Sequence, residues 1–430
     1  MFNGKFGFIN NSGDEAIPFM FDDAESFNEG LAKVGIGNRT ESWKPVNGYY
    51  GFINTAGKIS ISLMYEFVNS FRNGLACVKL NSKYGFIDKN GLEVIPFYYD
   101  MAFSFEEGLA CVAREGKYGF IDIKGDEIIP IKYDNAVSFK EGLAEIYKDG
   151  KVGLIDNKGN LIIPPIYDFL SLLPDGLLWI NWNGIFGLFN RSGKQITPFK
   201  YNAVEFEFTE GFARVGIGTT DHSHSHLFEG KYGLISRDGK EIIPIQYDFA
   251  ATVNGIVEVC NDAKNGYFNK YGNEILPIEY DSLRCEKGTI IAESNGKFGY
   301  FNKAGEQLTQ VVYDEVSFFD DGLAHVKLNG KYGLIDKNGK SIISPKYDFE
   351  VFFNKELEVA IVSLNHKWGL ISKEGEEIIP IKYESIECRG DKIIVGLNST
   401  KMVMGWDGDP GDEISTKYSF FDKTGKEYLQ

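Results

Sequence analysis

Positive charge is in short supply in this chain. Its 45 Lys and Arg face 61 Asp and Glu, which leaves a formal net charge of −16. That balance does not suit a nucleic-acid binder or a ligand of anionic membranes, since both need a basic surface. No apolar run approaches the roughly 18 residues that a spanning helix needs, so no membrane insertion is expected. Met1 to Gly7 has neither the basic stretch nor the apolar core of a signal peptide. A cytoplasmic location is the expectation. The five cysteines, an odd number in 430 residues, imply no disulfide framework. With only 13 prolines the chain is neither collagen-like nor a Pro/Gly low-complexity segment. Conventional catalytic signatures are missing too: no Gly-x-Ser-x-Gly elbow, no Walker A loop, no His-Glu-x-x-His. No enzymatic activity is expected.

Glycine and aromatic residues are plentiful instead: 49 Gly, 34 Phe and 23 Tyr. Their arrangement is periodic. Lys83-Tyr84-Gly85-Phe86-Ile87-Asp88 recurs as Lys117-Tyr118-Gly119-Phe120-Ile121-Asp122 and again as Lys331-Tyr332-Gly333-Leu334-Ile335-Asp336. Counted from the lysine position, repeats begin at 5, 49, 83, 117, 151, 185, 231, 264, 297, 331 and 367, with a terminal half-unit at 417–430. The basal period is 34 residues, and the whole chain reads as one continuous array.

Each repeat reads as three strands. The Lys-Tyr-Gly-Phe-Ile-Asp segment is aromatic and β-branched, hence a first strand. An Asn-Gly or similar pair follows, as at Asn90-Gly91, and signals a tight hairpin because such residues accept positive φ. Glu-Ile-Ile-Pro, as in Glu127 to Pro130, is a second strand ended by proline, which lacks a ladder donor. After Tyr-Asp and a Ser-Phe-x-Glu-Gly linker, Leu-Ala-x-Val, as in Leu109 to Val112, is the third strand. The glycine inside the first strand implies a close approach, read here as a neighbouring ring. The fold class is all-β: tandem three-stranded antiparallel meanders of about 34 residues, stacked as an open superhelix or solenoid. A closed propeller-like ring is the alternative.

Three longer spacings break the period. They insert residues 35–48, 216–230 and 396–416, always between the third strand and the next first strand, and always five repeats apart. That suggests five-repeat superrepeats, 5–184 and 185–366.

At Lys367-Trp368-Gly369-Leu370-Ile371-Ser372 the repeat resembles the WG-repeat (KWG-repeat) family of bacterial proteins. The shared pattern is aromatic-Gly, Asp-x-x-Gly, Ile-Ile-Pro, Tyr-Asp, Gly-Leu-Ala. Trp holds the first position only at Trp368, with Tyr or Phe in most other repeats. The resemblance implies a β-rich repeat domain of bacterial origin and carries over no catalytic residue.

The inserts hold the candidate site residues. His222, His224 and His226 alternate within Asp221 to His226. On an extended strand their rings share a face, and imidazoles suit a divalent transition metal such as Zn, Ni or Cu. A solvated hairpin tip is the competing reading, and no cofactor is otherwise expected. Trp43, Trp406 and Phe228 are candidate binding anchors, since exposed aromatics on long loops favour recognition. Asp407 to Glu413 is an acidic loop without EF-hand spacing. The Tyr-Asp ladder is read as structural, with Asp satisfying turn amides. Cys77 and Cys111 are read as buried hydrophobes, and Trp179 and Trp182 as packing residues. The expected role is a non-catalytic scaffold binding a neutral or basic protein along an extended surface. A carbohydrate- or envelope-binding module is the alternative, and a metal-dependent enzyme using the histidine insert the third reading.

Overall fold

The computed structural model describes residues 4–39, 45–220, 228–354, 357–389, 392–404 and 410–428. Among these residues there is no helix, and every regular element is a strand of a small antiparallel sheet. Among the described residues no sheet closes into a barrel. The chain packs as two compact units, Met1–Glu207 and Phe208–Gln430.

In the first compact unit the sheet frame is offset from the sequence frame. One sheet joins Met101–Ala102, Leu109–Arg114, Lys117–Asp122 and Glu127–Tyr133, in that order. It therefore combines the third strand of one repeat with the first and second strands of the next. A two-residue strand directly after Tyr-Asp adds a fourth member that the sequence pattern does not reveal. The next sheet repeats the plan with Asn135–Ala136, Leu143–Lys148, Lys151–Asp156 and Leu161–Tyr167. The unit opens on a two-stranded hairpin, Phe6–Ile9 with Glu15–Phe21.

The two hairpins of a repeat use different turns. Glu115 (φ 53°) and Gly116 (φ 73°) both lie in the left-handed region. They make a two-residue loop between Arg114 and Lys117, whose twist matches that of the strands. The first hairpin is wider. Gly91 alone takes positive φ (79°), its N–H bonds the Asp88 carbonyl, and the Asp88 carboxylate accepts the N–H groups of Asn90 and Leu92. This is a four-residue turn finished by a left-handed glycine.

The strand glycine and the proline belong to one device. Tyr118 faces Tyr133 and Phe120 faces Ile129, so two steps on the first strand match four on the second. The surplus residues bulge at Pro130, and a bulge tolerates a residue without an N–H. The second strand thus runs through the proline to Tyr133 instead of ending there. The bulge also crowds Gly119: a Cβ there would meet the Ile129 carbonyl oxygen at 2.6 Å. At Gly119 what approaches is its own partner strand's backbone, whereas at Gly187 the nearest group is the Phe199 ring, at 3.2 Å.

Successive sheets stack face to face. One core joins Cys77, Phe86, Ile95 and Tyr99 to Ala102, Phe105, Val112 and Ile121 of the following sheet. The next joins Cys111, Phe120, Ile129 and Tyr133 to Ala136, Phe139, Ile146 and Ile155. The linker phenylalanine closes each layer: Phe105 on Phe86 at 4.9 Å and Phe139 on Phe120 at 4.8 Å. Each fully buried Phe or Ile contributes about 1.5–3 kcal/mol. Because both faces of every inner sheet are covered, the strands are apolar on both sides.

The second compact unit follows the same plan, with cores such as Leu334, Ile343, Tyr347, Val351, Ala360, Val362 and Ile371. One sheet in each compact unit lacks the second-strand member: Phe169–Leu172, Leu177–Trp182, Ile185–Asn190 in the first, and Ser282–Glu286, Thr289–Ser294, Lys297–Asn302 in the second. In both, threonine fills the buried second-strand position that holds Ile129 elsewhere. Thr197 Oγ1 accepts the Leu188 N–H at 2.9 Å, and Thr309 Oγ1 accepts the Tyr300 N–H at 3.0 Å. A side-chain acceptor replaces the backbone one, and the ladder dissolves into isolated bridges.

The inserts lengthen the second hairpin. Leu31–Arg39 pairs with Pro45–Asn54, Phe212–Thr220 with Phe228–Ser236, and Lys392–Met404 with Pro410–Phe421.

Candidate functional site

The most repeated polar groups are consumed by the scaffold. Lys117 Nζ lies 2.5 Å from Asp134 Oδ1, and Asp134 Oδ2 accepts the Asp149 N–H of the next hairpin turn at 2.6 Å. The same lysine–acid pair forms at Lys5–Asp22 (2.7 Å), Lys83–Asp100 (2.5 Å) and Lys231–Asp248 (2.6 Å). It recurs at Lys151–Asp168, Lys264–Asp281, Lys297–Asp314, Lys331–Asp348 and Lys367–Glu384. The lysine hydrogen bond, then the turn N–H, holds the Asp134 carboxyl below its usual range. The Asp is therefore a clamp, as its turn-capping reading implied. The role of the leading lysine has no local sequence signal; it shows only when the residue 17 positions on is seen beside it.

The aromatic ladder is equally committed. Tyr65, Tyr99, Tyr133, Tyr247, Tyr347 and Tyr383 are buried. Cys77 and Cys111 are free and buried, with their thiols pushed up to about 12 by burial. Each donates to a carbonyl of the following sheet, Ala102 at 3.4 Å and Ala136 at 3.6 Å.

Exposed apolar residues occur in several parts of the repeat, the first hairpin and second strand included (Leu92, Val94, Ile123, Ile128), and one set recurs at the second-hairpin end. The first residue of the short strand after Tyr-Asp is exposed at Phe67, Met101 and Phe169 in the first compact unit. Phe67 stands opposite Lys79 and meets Tyr84 edge-on at 5.9 Å. In the insert-bearing sheet the equivalent residue, Asp23, stands opposite Gly35, where the insert begins. One step further out, Ile36 and Tyr49 face each other across the hairpin, and both are exposed. Trp182 packs edge-on against Tyr167 and Phe199 while remaining 48% exposed, so it is a packing residue at the surface. Trp179 is fully buried. The second compact unit carries its own set: Phe249 and Phe349 after Tyr-Asp, with Ile217, Leu397 and Tyr418 at the insert bases. Phe349 stacks on Trp368 at 5.7 Å.

A family model described as the WG containing repeat matches residues 6–39, 50–84, 84–118, 118–151, 153–184, 186–218, 232–264, 266–298, 298–332, 332–368 and 368–388. The chain belongs to the WG-repeat family. No curated protein matches it. Among solved structures it is similar to the extracellular domain of a hybrid two component system from B. thetaiotaomicron, at 10% identity and a TM-score of 0.32, over 95% of this chain and 66% of that one. The extracellular domain of a one component system from the same organism aligns at 11% identity and a TM-score of 0.22, over 95% and 76%. A eukaryotic initiation factor aligns at 10% identity and a TM-score of 0.25, over 76% and 96%. At these scores neither fold nor function is transferred from them.

The insert residues singled out in the WG-repeat sequence stand apart from this surface description. Trp43, Trp406, His222, His224 and His226 lie outside the described residues, as do Asp407 to Asp409. Phe228 opens the returning strand of the second insert, opposite Thr220, and its side chain lies outside the described residues. Among the described residues no group of three or more His, Cys, Asp or Glu is placed to hold a metal ion. The sequence reading passed over Phe67, Met101 and Phe169. Their signal is the residue after Tyr-Asp, which ranges from Asp to Phe along the chain and so escapes a motif built on constancy.

Proposed function

We propose that this WG-repeat chain is a non-catalytic scaffold that binds a protein partner along the second-hairpin end of its sheets. The observation that supports this most is the division of labour within the repeat. Lysine, aspartate and tyrosine of the motif are spent on joining and filling the sheets. Large apolar side chains that a folded chain does not need to expose recur at one position, Phe67, Met101 and Phe169, on the strand beside the second hairpin, the hairpin that an insert lengthens in the sheet of Asp23. Aromatic and Met side chains of this kind are favoured anchors of protein interfaces. The charge of −16 favours a neutral or basic partner. Burial of the tyrosine row weighs against carbohydrate binding, because sugar stacking needs open ring faces.

The test is recovery of partners from the native cell with three baits: the intact chain, a chain with the three inserts shortened to two-residue turns, and Phe67→Ser/Met101→Ser/Phe169→Ser. Both variants are expected to keep the β-sheet circular dichroism spectrum and to lose partners that the intact chain retains. Equal recovery by all three baits refutes the reading.

A further inference from the structure

One step of the array departs from the others in the second compact unit. The second residue after Tyr-Asp or its equivalent is Ala, Val, Leu or Ile in ten of the eleven repeats, as at Ala102, Ala136, Val316 and Ile386; in the tenth it is Glu350. At regular steps this residue receives the third-strand residue 25 positions earlier, as Cys77 meets Ala102 and Cys111 meets Ala136. At the exceptional step the same relation brings His325 to Glu350, with Nδ1 3.4 Å from Oε1. His325 Nδ1 is shielded from solvent and makes no hydrogen bond. Among the described residues His325 is the only cationic or potentially cationic group within ion-pair distance of Glu350.

The backbone adjusts around this pair. The short strand that elsewhere starts right after Tyr-Asp is delayed here to Phe352–Asn354, where Phe352 faces Ile361. This repeat is 36 residues long instead of 34. A cavity of about 250 Å³ lies between the two sheets, whose walls include Ser317, Leu323, Leu334, Val351 and Phe352 beside the His325–Glu350 pair. An adjoining recess shares Ser317, His325 and Glu350 and reaches Lys327, whose ammonium is already held by Glu315 at 2.7 Å. Phe352 is more than half exposed at the rim.

We propose that this cavity binds an organic cation with a short aliphatic stem, an alkylammonium or alkylguanidinium. Glu350 is the carboxylate without a permanent cation and takes the charged head. Leu323, Leu334 and Val351 give the stem an apolar wall, and the Phe352 ring offers its face to the cation. Partly closed sites with apolar walls and a few convergent polar groups are the usual form of small-ligand sites. The cation has two possible sources, a free amine or guanidine and an Arg or Lys side chain of another protein. The inference does not rest on the hairpin-end surface above and survives its failure.

Agmatine and n-butylammonium are titrated into the full chain, with the His325 imidazole NMR signals as the local reporter and calorimetry for affinity. Saturable binding that shifts His325 is expected. Glu350→Gln is expected to weaken it about tenfold, the worth of a charge-assisted contact, and neutral n-butanol is expected not to compete. Val351 already fills the buried position of this step and Glu350 is half exposed, so Glu350→Ala leaves the core intact, stays folded and also loses binding. The peptides Gly-Arg-Gly and Gly-Lys-Gly separate the sources: tighter binding than agmatine and n-butylammonium assigns the site to a protein side chain, weaker binding to a free cation. Absence of a saturable His325 shift at millimolar ligand overturns the proposal, as does undiminished binding by a folded Glu350→Gln.

Discussion

Lys117 opens a strand of one sheet and Asp134 sits at the junction to the next; their side chains meet at 2.5 Å, and the second oxygen of Asp134 holds the hairpin turn at Asp149. One carboxylate thereby fixes both the spacing of two sheets and the start of the next strand pair. Single exposed pairs of this kind are worth little; the consequence lies in their repetition along the array.

Acid is therefore expected to loosen the whole array. The carboxyls of Asp100, Asp134, Asp168, Asp248, Asp281, Asp314 and Asp348 are lowered in the folded chain, with the partner lysine as the largest cause in each. A depressed folded value means the stabilisation is complete above the unfolded carboxylate range and is lost as pH falls through the folded values. Melting temperature should be level from about pH 7 to 5 and drop steeply below about pH 4. High salt should shrink the drop. A melting temperature that does not change between neutral pH and pH 3 would contradict the clamp.

Gly119→Ala should destabilise by about 1–3 kcal/mol, the range for forcing atoms into a filled space. Its φ is not the reason; the Ile129 carbonyl stands 2.6 Å from where the Cβ would go. Gly142→Ala is the contrast. That residue has φ 79° and nothing within 4 Å, so its cost is the left-handed backbone alone, about 1–2 kcal/mol. Relaxing the bulge by Pro130→Ala should recover part of the Gly119→Ala loss and none of the Gly142→Ala loss, as read by urea denaturation.

Thr197 supplies a third test. Thr197→Val keeps the shape but leaves the buried Leu188 N–H without the Oγ1 acceptor it has at 2.9 Å, at a cost of about 1–3 kcal/mol. Ile129→Val, at the same repeat position in a regular strand, removes one methylene and should cost about 0.5–1.5 kcal/mol. A smaller loss for Thr197→Val than for Ile129→Val would show that the side-chain hydrogen bond is not what holds that segment.

Much of this architecture is legible from sequence because the repeat averages out local noise. Twelve copies of the first hairpin fix strands, turns and period, and the aspartate after tyrosine reads as a turn ligand from its type alone. Three features are hidden for physical reasons. The sheet frame is set by which hairpin is the tighter, and Glu115-Gly116 is a two-residue turn while Asn90-Gly91 closes a wider one. The proline reads as a stop because a bulge has no one-dimensional signature. Lys117 and Asp134 are too far apart in sequence to suggest a pair. At the candidate surface the reverse holds: Phe67 and Phe169 are informative because they vary from repeat to repeat, so a consensus suppresses them. The longer tenth repeat is visible as a spacing of 36, but that number does not predict the meeting of His325 with Glu350.

The second hairpin makes the last prediction. Its two-residue loop needs left-handed conformations at both positions, and glycine usually takes the second, as at Gly116. Ser82, Ala263 and His366 hold that place in three repeats, Ala263 at φ 60° after Asp262 at φ 51°. An alanine there bears the steric cost of the left-handed region, about 1–2 kcal/mol, while glycine adds back some unfolded-state entropy, about 0.4–1 kcal/mol. Ala263→Gly should therefore stabilise the chain by a net amount up to about 1 kcal/mol. The gain should appear as a higher urea midpoint at unchanged slope. Gly116→Ala imposes the same strain on a regular loop and should lower the midpoint by a similar amount. Movement of both midpoints in the same direction would mean that the loops are not held in the conformation that the register Arg114 opposite Lys117 and Asn261 opposite Lys264 requires.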